Sequence, residues 1–341
     1  MTAFQNIRDA GLVLGGLWGF YRSGRHSKRA WRGALHAHCR TNGRSTRYLA
    51  GLLRMIKPKA RLEPVTGLLG ELSVAAQHRI AQTLAREGFY IFERRIPPEL
   101  CDEIERFAAT TPASIEGRGT TPAERIVYDP GHPVSRTYRL SEDDIVANPG
   151  VQQLMGDPSI LAVANAYLPI APMLARVNVW WSAPTDQGPG DDAAQLFHFD
   201  FDAPPAWLKI FVYLSDVDAN SGPHVFVRGS HVPDHPAAAA LRRRGYVRIS
   251  DAEIDAAFGR ENVVELVGRR GTVLAVDTRG FHKGKEPISG RRLLVQLVYA
   301  TPPLSEALES RFPLPAKVNA VLAEACRRWP DVYARYRRKA G

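Results

Sequence analysis

Between residues 176 and 300 the chain is a succession of short apolar runs, and that punctuation narrows the possible folds more than any other feature. Residues 176–181, 208–214, 224–227, 272–276 and 292–300 are rich in Val, Leu, Ile, Phe and Tyr, and clusters of Gly, Pro and Asp bound them. Such runs predict an antiparallel β body. With 25 prolines and 28 glycines among 341 residues, a helical bundle or coiled coil is excluded. Ahead of the β region, residues 73–87 and 97–109 read as helices around a short strand at 88–92, and residues 316–328 read as a last helix. The expected class is mainly β with flanking helices (α+β).

Charge divides the chain differently. Of a formal net charge of +10, residues 1–62 hold thirteen Lys/Arg against one acid, Asp9, and residues 327–341 hold six against one, which leaves the middle at −7. Chemistry in the middle is therefore not built around a polyanion groove. Over residues 26–56, Trp31, Leu35, Leu49, Leu52, Leu53 and Ile56 recur at helical spacing between arginines, and Asn42-Gly43 breaks the pattern into two helices. Two readings stay open. One is a basic amphipathic arm on an anionic membrane surface, peripheral to the inner face; the other is an arm packed on the core with its arginines in water.

The apolar stretch 10–20 follows a mixed Arg8-Asp9 pair and precedes no A-x-A site, which argues against a signal peptide. No apolar run approaches the roughly 20 residues a spanning helix needs. Cys39, Cys101 and Cys326 are odd in number and form no CxxC pair, which excludes a disulfide scaffold or thiolate zinc site and fits a reducing cytoplasm. The expected organisation is a basic helical arm (1–72), a β-rich domain (73–312), and a C-terminal helix with a basic tail (313–341). Within the domain, residues 183–194 carry Pro184, Gly188, Pro189, Gly190 and three aspartates, and a loop this long reads as a lid or binding loop.

The chemistry concentrates in Gln195-Leu-Phe-His198-Phe-Asp200-Phe-Asp202. On a strand, His198 and Asp200 share a face because side chains alternate, and Asp202 shares it too. An imidazole and a carboxylate do not complete a metal site. The segment Val273-Leu-Ala-Val-Asp277-Thr-Arg-Gly-Phe-His282, an apolar strand followed by a turn and a histidine, supplies a third ligand. His-x-Asp with a distal His is the two-histidine, one-carboxylate set of non-haem Fe(II) oxygenases, which leaves coordination positions open. Ten residues on, Arg292 opens a strand, and its guanidinium could hold the far carboxylate of a dicarboxylate such as 2-oxoglutarate. Arg291 points to the opposite face.

These residues, with Leu214-Ser-Asp216-Val-Asp218-Ala-Asn-Ser-Gly222-Pro223, the Gly229-Ser230-His231 turn and Gly280-Phe-His282 through Gly290-Arg-Arg292, resemble the phytanoyl-CoA dioxygenase family of Fe(II)/2-oxoglutarate-dependent oxygenases. The likeness spans residues 73–303. It implies a double-stranded β-helix (jelly-roll or cupin-like) core; His198, Asp200 and His282 as both catalytic residues and ligands of Fe(2+); and 2-oxoglutarate and O2 as cosubstrates. By the same likeness Asp200 takes precedence over Asp202, Arg292 over Arg291, and His231 belongs to a turn without binding metal. The His282-to-Arg292 interval is one residue shorter than the family pattern. Asn178 and Phe211 fall where similar enzymes contact the cosubstrate. Lys209 shares the Phe211 face and could meet an acidic substrate; His224 and His235 read as ordinary strand or loop histidines.

The resemblance implies hydroxylation of a small-molecule, lipid or lipid-linked glycan substrate, with release of succinate and CO2. A carboxylate at 200 blocks the chloride site of halogenating relatives. An alternative, oxidative demethylation of nucleic acid, lacks the second arginine those enzymes carry six positions later, where this chain has Val298, so nucleic acid is not the expected partner. Another alternative, a non-catalytic jelly-roll binding protein, is opposed by the intact triad.

Overall fold

The computed structural model describes residues 3–23, 27–56, 58–116, 125–184, 196–301 and 312–336. Most of the loop read as a lid (183–194) and the end of the basic tail lie outside the described residues. Three helices lead the chain: α1 (Ala3–Ser23), α2 (Lys28–Arg40) and α3 (Arg44–Ile56). The break falls at Asn42-Gly43, where Asn42 (φ 50°) and Gly43 (φ 82°) both take left-handed backbone. The hairpin β1 (Val65–Gly67) and β2 (Gly70–Leu72) leads into α4 (Val74–Glu87), β3 (Phe89–Ile91) and α5 (Pro98–Thr110). Ser73 caps α4 by accepting from the Ala76 N–H at 3.2 Å. Next come β4 (Ala113–Glu116), β5 (Arg125–Ile126) and β6 (Thr137–Arg139), then α6 (Glu142–Ala147), α7 (Pro149–Gly156) and α8 (Pro158–Tyr167).

The β body follows: β7 (Met173–Ser182), β8 (Trp207–Tyr213), β9 (His224–Val227), α9 (Pro236–Arg242), α10 (Asp251–Phe258), β10 (Val263–Leu266), β11 (Val273–Val276), β12 (His282–Gly284) and β13 (Arg292–Ala300), with α11 (Ala320–Arg328) after it. Eight strands form one antiparallel sheet in the order β3-β11-β8-β13-β7-β6-β4-β5, and β10-β9-β12 form a second. This is a double-stranded β-helix with buttressing helices, as expected. Strands β8, β9, β11 and β13 are buried at every position, which is why they read as unbroken apolar runs instead of alternating ones.

One core lies between the large sheet and helices α4, α5, α7 and α8. A second joins Ala30, Ala34, Leu35 and Cys39 of α2 to Phe197, Phe199 and Phe201. Of the two arm readings, the packed one describes α2. Its apolar face is spent on the segment that carries His198 and Asp200.

Candidate metal centre

His198 and His282 come together through backbone pairing: the N–H of each donates to the carbonyl of the other, at 3.0 and 2.8 Å. The Asp200 N–H donates to the Thr278 carbonyl at 2.8 Å, which fixes the third member. Each ring is then oriented locally. His198 Nδ1 lies 2.9 Å from the Leu196 carbonyl and His282 Nδ1 2.9 Å from the Gly280 carbonyl. Carbonyls only accept, so both Nδ1 atoms carry the proton and both Nε2 atoms present lone pairs. One Asp200 oxygen is 3.3 Å from His282 Nε2 and the other 3.7 Å from His198 Nε2. The three ligand atoms lie within 4.8 Å of one another.

Electrostatics favour the ligand forms. Burial, then the neighbouring His282, pushes the His198 imidazole down to about 3, so it is neutral at pH 7. Burial alone would raise the Asp200 carboxyl, but Lys209, His282 and His198 together outweigh it and hold the group well below the carboxylate range. Lys209 Nζ sits 2.6 Å from Asp200 and 2.8 Å from Asp202. That corrects the substrate role considered for Lys209: its charge is already engaged by the two carboxylates.

The triad opens on a cavity of about 690 Å³. The strand register gives its floor. Arg292 pairs with Ser182, Leu294 with Trp180, Gln296 with Asn178, and Val298 with Arg176; on the other side Gln296 pairs with Phe211 and Val298 with Lys209. All these side chains line the cavity. Asn178 donates to Gln296 Oε1 at 2.7 Å. The Arg292 guanidinium donates through Nη1 to the Gly222 carbonyl and through Nη2 to Ser182 Oγ at 3.1 Å, while Nε is buried without a partner among the described residues. Gly222 (φ 81°) is confined by the Lys285 carbonyl, 2.8 Å from where a Cβ would stand. Arg291, by contrast, faces out toward Glu105 at 3.4 Å and is 44% exposed.

Two features escaped sequence reasoning, and a third could have been read. His224 stacks on His282, 5.1 Å between centroids, and lines the cavity with its Nε2 buried and unpartnered; it is more than an ordinary strand histidine. Trp31 of α2 contributes to the cavity wall. Lys209 was the legible one: a lysine inside an apolar strand needs a buried partner. His231 and His235 stay apart from the triad, His231 Nε2 lying 3.1 Å from the Ala85 carbonyl.

No protein-family model matches the chain, and no curated protein matches it. Solved structures do. The non-heme alpha-ketoglutarate-dependent carbocyclase SnoK from nogalamycin biosynthesis is 18% identical, covering 65% of this chain and 83% of its own at a TM-score of 0.46. EctD from S. alaskensis with bound Fe is 20% identical, covering 84% and 94% at 0.48. HygX from Streptomyces hygroscopicus with nickel and 2-oxoglutarate bound is 19% identical, covering 67% and 88% at 0.44.

Proposed function

We propose that this chain is a non-haem Fe(II)- and 2-oxoglutarate-dependent oxygenase of the phytanoyl-CoA dioxygenase type that hydroxylates a small-molecule or lipid-type substrate. The observation that carries it is the pair of imidazole lone pairs and one carboxylate converging at the base of a cavity. The donor set fits the ion: two imidazole nitrogens and one carboxylate oxygen, all buried or nearly so, on one side of an open space.

In this reading His198 Nε2, His282 Nε2 and the Asp200 carboxylate hold the iron, and Arg292 with Ser182 binds the far carboxylate of 2-oxoglutarate. The unpaired Arg292 Nε–H is the donor that such an anion satisfies. With dioxygen, the bound iron and cosubstrate supply the oxidising power to place one oxygen atom in a C–H bond, with succinate and CO2 as coproducts. The protein's own part is positional. The Leu196 and Gly280 carbonyls fix the ring tautomers, Lys209 keeps Asp200 ionised, and Phe211 with the Asn178–Gln296 pair shapes the space between metal and arginine. The test is purified protein with iron, 2-oxoglutarate and a metabolite extract. A compound gaining the mass of one oxygen, dependent on both additions, supports the reading; 2-oxoglutarate that is never consumed under any extract contradicts it.

A second proposal concerns α3. Tyr48, Leu52, Met55 and Ile56 follow helical spacing on its outer side and are 56–76% exposed, beside the exposed Arg47 and Arg54. Among the described residues no helix is long and apolar enough to cross a membrane, so this face would lie on an anionic surface instead. Flotation with anionic vesicles should be lost in a Leu52→Ser, Met55→Ser, Ile56→Ser variant; equal flotation of variant and wild type removes the proposal.

A further inference from the structure

The cavity holds more positive charge than the proposed chemistry uses. Its acids among the described residues are Asp200, Asp202 and Glu286; Lys209 is shared by the first two, and Arg136 reaches Glu286 at 2.8 Å. Arg292 is assigned to the cosubstrate, and Lys285 turns to Glu265 at 2.6 Å. Arg139 lies over the Trp180 ring at 5.1 Å; Arg176 and Arg248 also line the cavity, and among the described residues neither meets a carboxylate within ion-pair distance. Arg248 lies over the Tyr246 ring at 5.8 Å.

The register shows where they stand. Arg176 pairs with Val298, and Val298 pairs with Lys209. Arg176 is therefore two strands, roughly 10 Å, from the lysine that grips Asp200. Along β13, Val298 and Arg292 are six residues or roughly 20 Å apart, so Arg176 and Arg292 mark opposite ends of the space. Arg248 precedes Ile249, whose backbone pairs with Phe197, so it enters beside His198. Trp31 and Phe201 are also on the lining, packed edge-to-face with centroids 5.8 Å apart.

We propose that Arg176 and Arg248 form an anion subsite at the end of the cavity away from Arg292, and that the substrate carries a phosphate or carboxylate group held there. The body of the substrate lies against Trp31, with the carbon to be oxidised over the triad. An occupied metal and a bound 2-oxoglutarate dianion cancel in charge, so the guanidiniums remain to be neutralised by the substrate itself. This inference rests on the oxygenase reading and adds the class of substrate to it.

The test uses full-length protein loaded with Ni(II) and 2-oxoglutarate, titrated calorimetrically with phenyl phosphate, benzoate and benzylamine. Wild type is expected to bind at least one of the two anions and not benzylamine; which anion binds chooses between phosphate and carboxylate. An Arg176→Gln, Arg248→Gln double variant should lose at least tenfold in that affinity. Equal affinity in the double variant, benzylamine binding as tightly as the anions, or binding of neither anion overturns the subsite. Nickel and 2-oxoglutarate uptake, measured on the same samples, separates the two failures. Uptake without anion binding condemns the subsite alone, whereas a wild type that takes up neither condemns the oxygenase reading and the subsite with it. Should the double variant not fold, the exposed Arg176→Gln single variant carries the same comparison.

Discussion

Trp31 and Phe201 lie 170 positions apart in sequence and meet at the site: the indole N–H donates to the Phe201 carbonyl at 3.0 Å. One residue before Phe201 is Asp200. The N-terminal helices therefore brace the segment that carries two of the three proposed ligands. Arg242 strengthens the join. Buried between the Phe199 and Phe281 rings (5.6 and 5.3 Å), it donates to Asn42 in the turn between α2 and α3 at 2.5 Å. Trp31→Phe keeps the ring and removes the donor, and should cost about 1 kcal/mol in urea denaturation. Deleting residues 1–62 strips α2 from Phe197, Phe199 and Phe201, and should give an aggregated or unfolded chain. A soluble truncated protein with an unchanged midpoint would refute the bracing role.

Lys209 is expected to matter most when no metal is bound. Lys209→Met leaves the Asp200 carboxylate buried without its cation, a loss of about 3–5 kcal/mol for a broken buried pair. A divalent ion on Asp200 supplies a replacement charge. Thermal melts with and without Mn(II) should show a smaller penalty in the loaded protein. An identical penalty in both conditions would mean that the ion does not reach Asp200.

Asp277 gives the fold a defined acid limit. It is fully buried, and accepts from Arg279 Nε at 2.8 Å and from the Tyr167 hydroxyl. Burial alone would raise its carboxyl, but the Arg279 guanidinium prevails and brings it down to about 2 from the ordinary 3.8. A carboxyl depressed in the folded state adds stability above its unfolded value and loses it as pH falls through the folded one. The contribution is about 2 kcal/mol, present above about pH 4 and lost towards pH 2. Urea titrations of wild type and Asp277→Asn should show a gap at pH 7 that narrows over that window. A gap independent of pH would contradict the assignment.

Arg292 and its neighbour Arg291 should separate cleanly. Arg292→Ala removes the buried donor at the end of the cavity and should raise the 2-oxoglutarate concentration needed for half-maximal succinate formation at least tenfold. Arg291→Ala, which loses an outward contact to Glu105, should leave it unchanged. The reverse pattern would move the role to Arg291.

Strand alternation and motif order made much of this legible. The breaks at Gly, Pro and Asp marked β7, β8, β9, β11 and β13; alternation along β13 put Arg291 and Arg292 on opposite faces, and the family likeness chose Arg292. Helices α6, α7 and α8 did not show. In α8 Ser159, Ile160 and every residue through Ala166 is buried, so no polar face sets a 3.6-residue period. The brief strands β4, β5 and β6 span only two to four residues, too few to establish alternation. The triad was readable because two of its members sit two residues apart and the third closes a strand–turn motif. The cavity positions of Trp31 and His224 were not, because each meets the site through long-range packing that no local pattern encodes.

The central claim is that His198, Asp200 and His282 grip one ferrous ion. Anaerobic titration of Fe(II) into the full chain tests it directly, alongside His198→Ala, Asp200→Ala, His282→Ala and, as a histidine away from the triad, His235→Ala. The account predicts one ion per chain for wild type and His235→Ala and loss of tight binding in each triad variant. Full stoichiometry and affinity in the three triad variants, or no binding by the wild type, would contradict it.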